Sequence, residues 1–409
     1  MKPIIRSILD SDLYKFSMQH AVIKHFPRLK VRYKFTDRNN TVYPNGFDKL
    51  VMSEVKKMEA LYLTVDEKKF LTEKCGNYFP PTYIDFLNGY KFDSNEVLIK
   101  LDNKNNLDIL IESYWYRSIL WEVPIMSIIS ELYFRETGQI VDIQKFESQD
   151  INKIQIMNDH NAFFCDMGAR RRYSFDNQDR IVKLFSTIPN NVFVGTSNVY
   201  LAYKQNIKPI GSIAHEFFMV IACIYGVQQA TKITMDLWLD TYQYNQLGTV
   251  LPDTFTLDFF LKSFEYKYAA NFNSIRHDSG DPYIFADKVI RHYKSLNIDP
   301  MTKTIIFSDG LDIETAVKIK EYCVGKIKSS FGIGTNLTND IGVKPLNMVI
   351  KISEVLVDDN WVGAVKLSDN KGKYTGKIED VELYKGILKI KYNLYILQHH
   401  QYLNHRNQN

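Results

Sequence analysis

Residues 207–222, IKPIGSIAHEFFMVIA, contain the feature that decides how the fold is interpreted. A short apolar run with a proline and a glycine leads directly to His215, where an apolar helix is predicted to begin. Two interpretations are open. Either His215 is a histidine of the core, or it lies at the mouth of a barrel, where its imidazole can act as a nucleophile. The sequence on both sides of this stretch has to distinguish them.

The order of elements in this stretch recurs from about residue 162 to residue 345. Apolar runs rich in β-branched or aromatic residues end in Gly, Ser, Thr or Asp, and an amphipathic helical stretch follows each of them. AFFCDMG precedes NQDRIVKLF in this way, KPIGSIA precedes HEFFMVIACIYG, and KTIIFSDG precedes LDIETAVKIKEYC. Strands that alternate with helices are typical of βαβ units, and about seven units predict a closed or nearly closed barrel.

The chain before and after this region follows a different pattern. Residues 1–135 combine strand-like stretches, including a hairpin predicted to turn at residues 103–106, with the helical stretch WEVPIMSIISELYFRET. We therefore expect an α+β domain in residues 1–135 and a (β/α) barrel in residues 136–345. Residues 346–409 return to strand periodicity and are predicted to pack back on the N-terminal domain, with a mobile tail, QHHQYLNHRNQN, at the end. The fold class is α/β, with a second, smaller domain.

Composition and charge exclude several classes of protein. The 409 residues carry a net charge of +4 from 51 Lys and Arg and 47 Asp and Glu, which gives no nucleic-acid footprint. The four cysteines lie far apart, without CxxC spacing or a disulfide framework, which is typical of a reducing compartment. No signal-peptide core forms before the first acidic residues, and the longest apolar run is shorter than the roughly 20 residues of a membrane span. We expect a soluble cytoplasmic protein.

Seven polar motifs occupy the same position in the predicted pattern. Each of them follows a strand and precedes a helix. In (β/α) barrels these junctions lie on one face, and that face carries the active site. Arg, His, Asp, Ser and Gly would then surround one mouth, which favours an enzyme. The motifs are DMGARRR, GTSN, GSIAH, LPDT, RHDSGD, FSDG and FGIGT.

Glycines and arginines in these motifs indicate an oxyanion ligand. Gly332 and Gly334 follow the last predicted strand, where barrels hold phosphate on backbone N–H groups. A tight turn is the alternative explanation for two such glycines. The guanidinium groups of residues 170–172 suit phosphate or carboxylate, since Arg binds these oxyanions through two parallel hydrogen bonds. The alternative for this cluster is a solvated helix start.

The carboxylates at the junctions have two possible roles. Asp278 and Asp281 flank a glycine, and Asp309 and Asp312 follow the next strand. Near a phosphate pocket, carboxylates hold Mg²⁺ or accept hydrogen bonds from sugar hydroxyls. The alternative is a helix N-cap, which is at least as good an explanation for Asp312. Asp253 in VLPDTF is open to both interpretations.

The position of His215 changes how it is interpreted. A single histidine near an apolar helix is more often structural, but this one lies at a junction in line with the phosphate-type motifs. A neutral imidazole is nucleophilic near neutral pH. With a neighbouring acid such as Glu216 it could accept a phosphoryl group and later lose it. Glu216 is equally well explained as a first-turn acid that favours the helix dipole.

At this point the motifs resemble a known family along nearly the whole chain. LDSDLYKFSMQHAVIKHFP, WEVPIMSIISELYFR, DMGARRRYSFDNQDRIVK, PIGSIAHEFF, RHDSGDP, FGIGTNLTND and AVKLSDNKGK occur in the same order and with comparable spacing in nicotinate phosphoribosyltransferases. The resemblance implies a type II phosphoribosyltransferase fold, an irregular (β/α) barrel joined to a smaller α/β domain, and a homodimer with shared active sites.

The resemblance also implies an activity. Nicotinate and 5-phosphoribosyl 1-pyrophosphate would give nicotinate mononucleotide and pyrophosphate, coupled to hydrolysis of ATP to ADP and phosphate, as a step of NAD salvage. Mg²⁺ would assist, with Asp278 and Asp253 as its candidate ligands. His215 lies at the position of the histidine that ATP phosphorylates in this family, so it is expected to become a phosphohistidine.

Further roles follow from the resemblance residue by residue. Tyr14 would stack on the pyridine ring, reaching in from the partner subunit, and Met167 lies where a nicotinamide-using relative has the second stacking residue. Arg170 would contact the phosphoribosyl donor and Arg276 the nicotinate carboxylate, while Asp278 would lie at the reacting ribose. The other expected substrate-binding residues are Thr196, Asp309 for the ribose hydroxyls, and Gly332, Gly334 and Thr335 for the 5-phosphate.

Ser197 bears on the choice of substrate. The nicotinamide-using relative has an aspartate at this position, and a carboxylate there would repel nicotinate by several kcal/mol where solvent is scarce. A serine can instead donate a hydrogen bond to the carboxylate, which favours nicotinate over nicotinamide. The alternatives are a transferase of another pyridine, a sugar-phosphate isomerase or aldolase on the same barrel, and a non-catalytic nucleotide-binding protein. Ser197 argues against nicotinamide and the whole-chain match against quinolinate. An isomerase or aldolase gives no reason for His215, and a non-catalytic protein has no need of Arg276, Asp278 and His215 together.

Overall fold

The computed structural model describes residues 3–243, 246–370 and 373–390. The predicted mobile tail lies outside these residues. The helices are α1 Leu13–His25, α2 Phe47–Lys57, α3 Val65–Cys75, α4 Pro81–Gly89, α5 Trp115–Ser118, α6 Glu122–Glu136, α7 Glu147–Asp159, α8 Phe175–Thr187, α9 Val199–Lys204, α10 His215–Tyr225, α11 Val227–Thr241, α12 Leu257–Ser263, α13 Tyr266–Asn271, α14 Pro282–Ser295, α15 Ile313–Cys323, α16 Thr335–Thr338 and α17 Ile378–Ile387.

The strands form two sheets. β1 Lys30–Asp37, β2 Val97–Leu101, β3 Leu107–Tyr114, β10 Met348–Val357 and β11 Asn360–Gly363 form an antiparallel sheet in the order β11-β10-β1-β3-β2. β4 Phe164–Asp166, β5 Phe193–Thr196, β6 Thr249–Val250, β7 Ser274–His277, β8 Thr304–Phe307 and β9 Lys328–Ile333 form a parallel sheet in the order β5-β4-β9-β8-β7-β6.

The antiparallel sheet joins the two ends of the chain. β1 pairs with β10 along its whole length, from Val31 opposite Val355 to Asp37 opposite Met348. The strands after residue 345 therefore pack on the N-terminal sheet, as expected, while the domain boundaries at residues 135 and 345 stay a prediction. The predicted hairpin is β2 and β3. Its turn is held by Asp102, whose Oδ1 accepts hydrogen bonds from backbone N–H groups two and four residues later.

The parallel sheet confirms the βα pattern, with one correction. KPIGSIA is not a strand. Pro209 has no N–H to donate, and the segment makes one backbone hydrogen bond to β5, from Ile210 N to Thr196 O at 2.9 Å. Ser212 Oγ donates to the carbonyl oxygens of Leu247 and Thr249 at 2.5 and 2.7 Å. An irregular segment tied by these bonds thus spans the space between the edge strands β5 and β6, which makes the barrel irregular.

Helix α10 packs against the antiparallel sheet. It contacts β10 on one side and α11 on the other, and residues 216–222 are all buried. The ring of Phe217 packs against Trp115, with 5.4 Å between ring centroids. From Glu216 to Ala222 the helix has no solvent face, which explains its apolar sequence on all sides there. It also brings the N-terminal sheet close to His215. Among the described residues, no helix is both long and apolar enough to span a bilayer.

Candidate active site

A cavity of about 1550 Å³ opens at the carboxyl ends of the parallel strands. The antiparallel sheet forms its opposite wall through β10 and through Arg38, which follows β1. Five of the seven junction motifs contribute residues to this space, and GTSN and LPDT do not line it. The cavity-lining residues that the sequence pointed to are Met167, Arg170, His215, Arg276, Asp278, Asp309, Gly332, Gly334 and Thr335.

His215 is the first residue of α10, after Ala214 in extended conformation. Its Nδ1 lies 3.0 Å from Thr254 Oγ1. Its Nε2 faces the cavity, 3.0 Å from Asp278 Oδ2 and 2.7 Å from Lys366 Nζ. Contacts with Thr254, Asp278 and Lys366 therefore hold both ring nitrogens of His215 in place.

The surroundings of His215 keep its imidazole neutral. Burial lowers the pKa of His215 below its ordinary value, and the ammonium of Lys366 lowers it further, against the opposing carboxylates of Asp253 and Asp278. When Nδ1–H donates to Thr254, the lone pair of Nε2 points into the cavity and accepts a hydrogen bond from Lys366. This tautomer gives a nucleophilic nitrogen at the cavity wall.

Glu216 is not the acid that assists His215. Its side chain turns away from the cavity, where Oε2 accepts from Lys15 Nζ at 2.6 Å and Oε1 accepts from Tyr33 and Trp115 at 2.5 and 2.8 Å. Successive residues in the first turn of a helix point about 100° apart, so Glu216 cannot follow His215 into the cavity. Asp278 and Asp253 take that position instead.

Asp278 connects three groups of the site. Its Oδ1 accepts from Arg276 Nη2 at 2.8 Å and from Ser308 Oγ at 3.2 Å, while Oδ2 faces His215. Burial by itself would raise the pKa of Asp278, but the positive charges of Arg276 and Lys366 hold it well below its ordinary range. Asp278 is therefore an ionised carboxylate at the centre of the site. The nearby Asp281 and Asp312 are helix N-caps of α14 and α15.

The expected magnesium ligands form a compact group. Ligand atoms of His215, Asp253 and Asp278 lie within 4.8 Å of one another. Asp253 is fully buried, and its Oδ1 has no hydrogen-bond partner among the described residues. Carboxylate oxygens are the donors that Mg²⁺ prefers, so the two aspartates fit this ion. Lys366 Nζ lies 3.1 Å from Asp253 Oδ2 and supplies positive charge at the same place.

The three consecutive arginines have three different environments. Arg170 lines the cavity, with its Nη1 3.5 Å from Glu122 Oε1. Arg171 donates from Nε and Nη2 to the carbonyl oxygen of Met348 at 3.0 and 2.7 Å, which fastens the cavity to β10. Arg172 is fully buried and forms two hydrogen bonds to Asp10. Of the expected oxyanion cluster, Arg172 is therefore a structural residue.

A smaller space of about 590 Å³ adjoins the large cavity. It has apolar walls from Ile210, Ile213 and Ile306, and polar groups at its ends, which suits a flat ring with one charged substituent. The residues expected to contact the ring line this space. They are Tyr14, Met167, Ser197 and Arg276, and Arg170, which was expected to contact the phosphoribosyl donor, lines it as well.

Tyr14 reaches this ring cavity within its own chain. Leu13 N donates to Ser197 O at 2.8 Å, and Val199 N donates to Ser11 O at 3.0 Å. These bonds tie the start of α1 to the end of β5. Tyr14 therefore lines the ring cavity of its own chain, and its expected entry from a partner subunit stays a prediction.

The GTSN motif differs from its expected role. Thr196 is fully buried, and its hydroxyl donates to Asp166 Oδ2 at 2.7 Å, so its side chain stabilises the end of β4. Ser197 lines the ring cavity, but its hydroxyl donates to Asp12 Oδ1 at 2.7 Å. Burial raises the pKa of Asp12 to about 6, although Arg170 and Ser197 oppose this shift. An acid thus lies in the ring cavity even though position 197 is a serine.

The glycines after β9 are required for close packing. A Cβ on Gly332 would lie 2.4 Å from Met167 Sδ, and a Cβ on Gly334 would lie 3.2 Å from the carbonyl oxygen of Met167. The strand ends of β4 and β9 therefore approach each other closely beside the cavity. Thr335 begins α16 directly after them. Packing explains both glycines, and their role in holding a phosphate stays a prediction.

Sequence reasoning missed a set of cations on the far wall of the cavity. Lys373 Nζ donates to Asp309 Oδ1 at 2.8 Å, and Lys366 contacts His215. The available signal was the basic residues of TDRNN, IKI and AVKLSDNKGK, to which the sequence analysis assigned no role in a site. With Arg170, Arg171 and Arg276, seven Lys and Arg side chains line the cavity against the carboxylates of Asp278 and Asp309. The other missed cations are Arg38 and Lys351.

These features define a barrel enzyme for phosphorylated substrates, with a cationic cavity at the strand ends and a neutral histidine among carboxylates. Comparison with known protein families supports the same class of protein. The family model described as "Nicotinate phosphoribosyltransferase (NAPRTase) family" matches residues 163–392, and the model of that family's N-terminal domain matches residues 9–130. The chain belongs to the nicotinate phosphoribosyltransferase family.

Individual relatives cover nearly the whole chain. The nicotinate phosphoribosyltransferase of Desulforapulum autotrophicum is 45% identical over 92% of this chain and 97% of its own length. That of Chromohalobacter salexigens is 42% identical over 95% and 99%. The crystal structure of nicotinate phosphoribosyltransferase from Porphyromonas gingivalis superposes with a TM-score of 0.92 at 44% identity, and covers 95% of this chain and 100% of its own.

Proposed function

We propose that this chain transfers the phosphoribosyl group of 5-phosphoribosyl 1-pyrophosphate to nicotinate and couples the reaction to ATP hydrolysis through His215. The observation that carries the proposal is the continuous cavity that contains His215, Arg170, Arg276 and the glycines after β9. The adjoining ring cavity, with Tyr14 and Met167, has the shape and polarity for a pyridine carboxylate. The products are nicotinate mononucleotide and pyrophosphate, so the chain takes part in NAD salvage.

The cavity supplies charge stabilisation and orientation for the transfer. The bond between C1 of ribose and the pyrophosphate oxygen breaks, the pyridine nitrogen forms the new bond to C1, and pyrophosphate leaves with the electron pair. Arginine and lysine side chains around the cavity stabilise the charge that develops on this leaving group. Asp278, held ionised beside Arg276, lies where positive charge on the ribose would be stabilised. Asp309 is positioned for the ribose hydroxyls.

His215 provides the coupling to ATP. Its Nε2 attacks the γ-phosphorus of ATP, a P–N bond forms, and the P–O bond to ADP breaks. Water later cleaves the P–N bond and releases phosphate, while the imidazole returns to its neutral form. Lys366, at 2.7 Å from Nε2, is placed to balance the charge of the phosphoryl group. The phosphorylated state binds substrates tightly, and its hydrolysis releases the product.

Mg²⁺, held by Asp278 and Asp253, would supply neutralising charge for pyrophosphate and for the phosphates of ATP. The proposal includes a cytoplasmic location, supported by four free cysteines at Cys75, Cys165, Cys223 and Cys323. It also includes a homodimer, which rests on the resemblance to the family alone.

The test of the proposed function is a panel of pyridine substrates with labelled phosphoribosyl donor, with and without ATP. Wild type is expected to form nicotinate mononucleotide, to prefer nicotinate over nicotinamide and quinolinate, and to be stimulated by ATP. His215→Ala should lose the stimulation completely, because no other nucleophile occupies the position of Nε2. Full stimulation in the folded His215→Ala variant would show that the phosphoryl group is carried elsewhere.

Lys351 gives the proposed site a dependence on pH. Burial lowers the pKa of this half-buried lysine to about 7, and the nearby Lys366 and Arg38 lower it further, against Asp278 and Glu122. Its ammonium is therefore charged below about pH 7 and neutral above it, while an anionic ligand favours the charged form. The KM for the phosphoribosyl donor is expected to rise about three- to tenfold between pH 6 and pH 8, because the charged fraction of Lys351 falls about tenfold over this range.

Two variants check this pH dependence. Lys351→Arg stays charged throughout, so its KM should remain low across the range. Lys351→Met should have a high KM at both ends, with the pH-dependent rise removed. If the KM of wild type and Lys351→Met changes in parallel with pH, titration of Lys351 does not control donor binding.

A further inference from the structure

A buried chain of charges runs from the residue after His215 to Arg170. Glu216 Oε2 accepts from Lys15 Nζ at 2.6 Å, and the same Nζ lies 2.5 Å from Glu122 Oε2. Glu122 Oε1 in turn lies 3.5 Å from Arg170 Nη1. The first turn of α10 and the guanidinium at the donor cavity are thus connected through two side chains from α1 and α6.

The ammonium of Lys15 is the centre of this chain. It has no exposed surface, and the side chains of Glu122 and Glu216 are each only 9% exposed. Burial alone would lower the pKa of Lys15, yet the two carboxylates raise it above its ordinary value. Lys15, Arg170, Glu122 and Glu216 together carry no net charge. Because water is excluded from the contacts of Lys15 with the two glutamates, a change at Glu216 alters the electrostatic energy at Glu122.

The proposed phosphorylation places new charge at one end of this chain. A phosphoryl group on His215 adds negative charge beside a smaller cavity that His215, Glu216 and Glu122 line together. This charge repels the two carboxylates unequally and so changes how Lys15 is shared between them. The carboxylate of Glu122 is then freer to orient Arg170, which is 38% exposed toward the donor cavity.

We propose that Lys15 is a positioning residue that transmits the phosphorylation state of His215 to Arg170. The route runs through Glu216 and Glu122, and it sets the affinity for the phosphoribosyl donor. The inference rests on the proposed function and adds the route by which ATP changes substrate affinity. Lys15 itself contacts no reacting atom in this scheme. A purely structural role would be to fill the space between α1, α6 and α10, and that role predicts no effect on the response to ATP.

The test compares the KM for 5-phosphoribosyl 1-pyrophosphate with and without ATP. In wild type, ATP is expected to lower this KM about fivefold or more, the usual size of a coupling between sites. In Lys15→Met the change should shrink to less than about twofold, whereas kcat without ATP should change far less. Glu122→Gln keeps a hydrogen-bond acceptor for Lys15 but removes the charge that faces Arg170, so it should lose the ATP effect as well and decides the question if Lys15→Met does not fold.

Tyr33→Phe is the matched control. It removes another hydrogen bond to Glu216, on the side away from Lys15, and should keep the full effect of ATP. A wild-type effect of ATP in folded Glu122→Gln or Lys15→Met would overturn the inference and leave the proposed function intact. Failure of wild type to form nicotinate mononucleotide would refute the proposed function itself, and turnover without any ATP effect on KM would refute both the phosphohistidine and its transmission.

Discussion

Asp278→Asn is expected to lower kcat/KM for formation of nicotinate mononucleotide by about 10²–10³-fold, the usual loss when a group that stabilises transition-state charge is removed. The carboxylate accepts hydrogen bonds from Arg276 and Ser308 on one oxygen and faces His215 with the other. The amide keeps the size of the side chain but leaves the guanidinium uncompensated and the ribose without a nearby negative charge.

Asp281→Asn is the matched control in the same motif. Asp281 caps α14 through hydrogen bonds from the N–H groups of Tyr283 and Ile284 to its Oδ1. Asparagine caps a helix nearly as well, so stability and kcat/KM should both stay close to those of wild type. The two variants are compared by steady-state kinetics on protein of matched thermal stability. Equal losses in both would place the functional carboxylate elsewhere.

Arg172→Met is expected to destabilise the protein by about 3–5 kcal/mol, because it leaves the carboxylate of Asp10 buried without its charged partner. Arg172 Nη1 and Nη2 donate to the two oxygens of Asp10 at 2.8 and 3.0 Å, and neither side chain is more than 1% exposed. Asn198 Nδ2 also donates to Asp10, but it carries no charge. The midpoint of denaturant unfolding measures the loss.

Two further variants test whether the loss of stability is specific to the pair of Arg172 and Asp10. Arg170→Met should change the free energy of unfolding by less than about 1 kcal/mol, because its side chain is partly exposed and pairs loosely with Glu122. It should instead raise the KM for the phosphoribosyl donor. Adding Asp10→Asn to Arg172→Met should recover part of the stability, since the unpaired charge is removed. If Arg170→Met and Arg172→Met lose the same stability, the two arginines do not have the separate roles assigned here.

These pairs mark the limit of prediction from sequence. DMGARRR and RHDSGD each offer neighbouring residues of the same type, and composition cannot rank them. Arg170 enters the cavity while Arg172 turns into the core, and Asp278 meets Arg276 while Asp281 caps a helix. Which way each side chain points depends on the backbone at the turn and on residues from distant elements. Asp10, which binds Arg172, and Ser308 after β8, which binds Asp278, are both distant from these motifs in the sequence.

The segment before His215 shows the same limit in the backbone. Its apolar residues favour a strand, but Pro209 removes a donor and the segment instead bonds through Ile210 N and Ser212 Oγ. The spacing of apolar residues indicates which residues are buried, but it does not show whether the backbone can form the hydrogen bonds of a strand. The prediction of a βα junction at this place is therefore confirmed for the helix, and wrong for the strand.

By itself, the sequence determined the parallel α/β barrel, the hairpin of the first domain, and the set of junction motifs that lie around one cavity. Local signals carry these features, because alternation of apolar residues, turn residues and caps acts within a few residues along the chain. Only the tertiary structure decided that Tyr14 lines the ring cavity beside its own β5, that Ser197 donates to Asp12, that Lys366 contacts His215, and that Lys351 lines the large cavity. Those contacts join elements more than a hundred residues apart, and their energies depend on burial and on charge partners that no local pattern specifies.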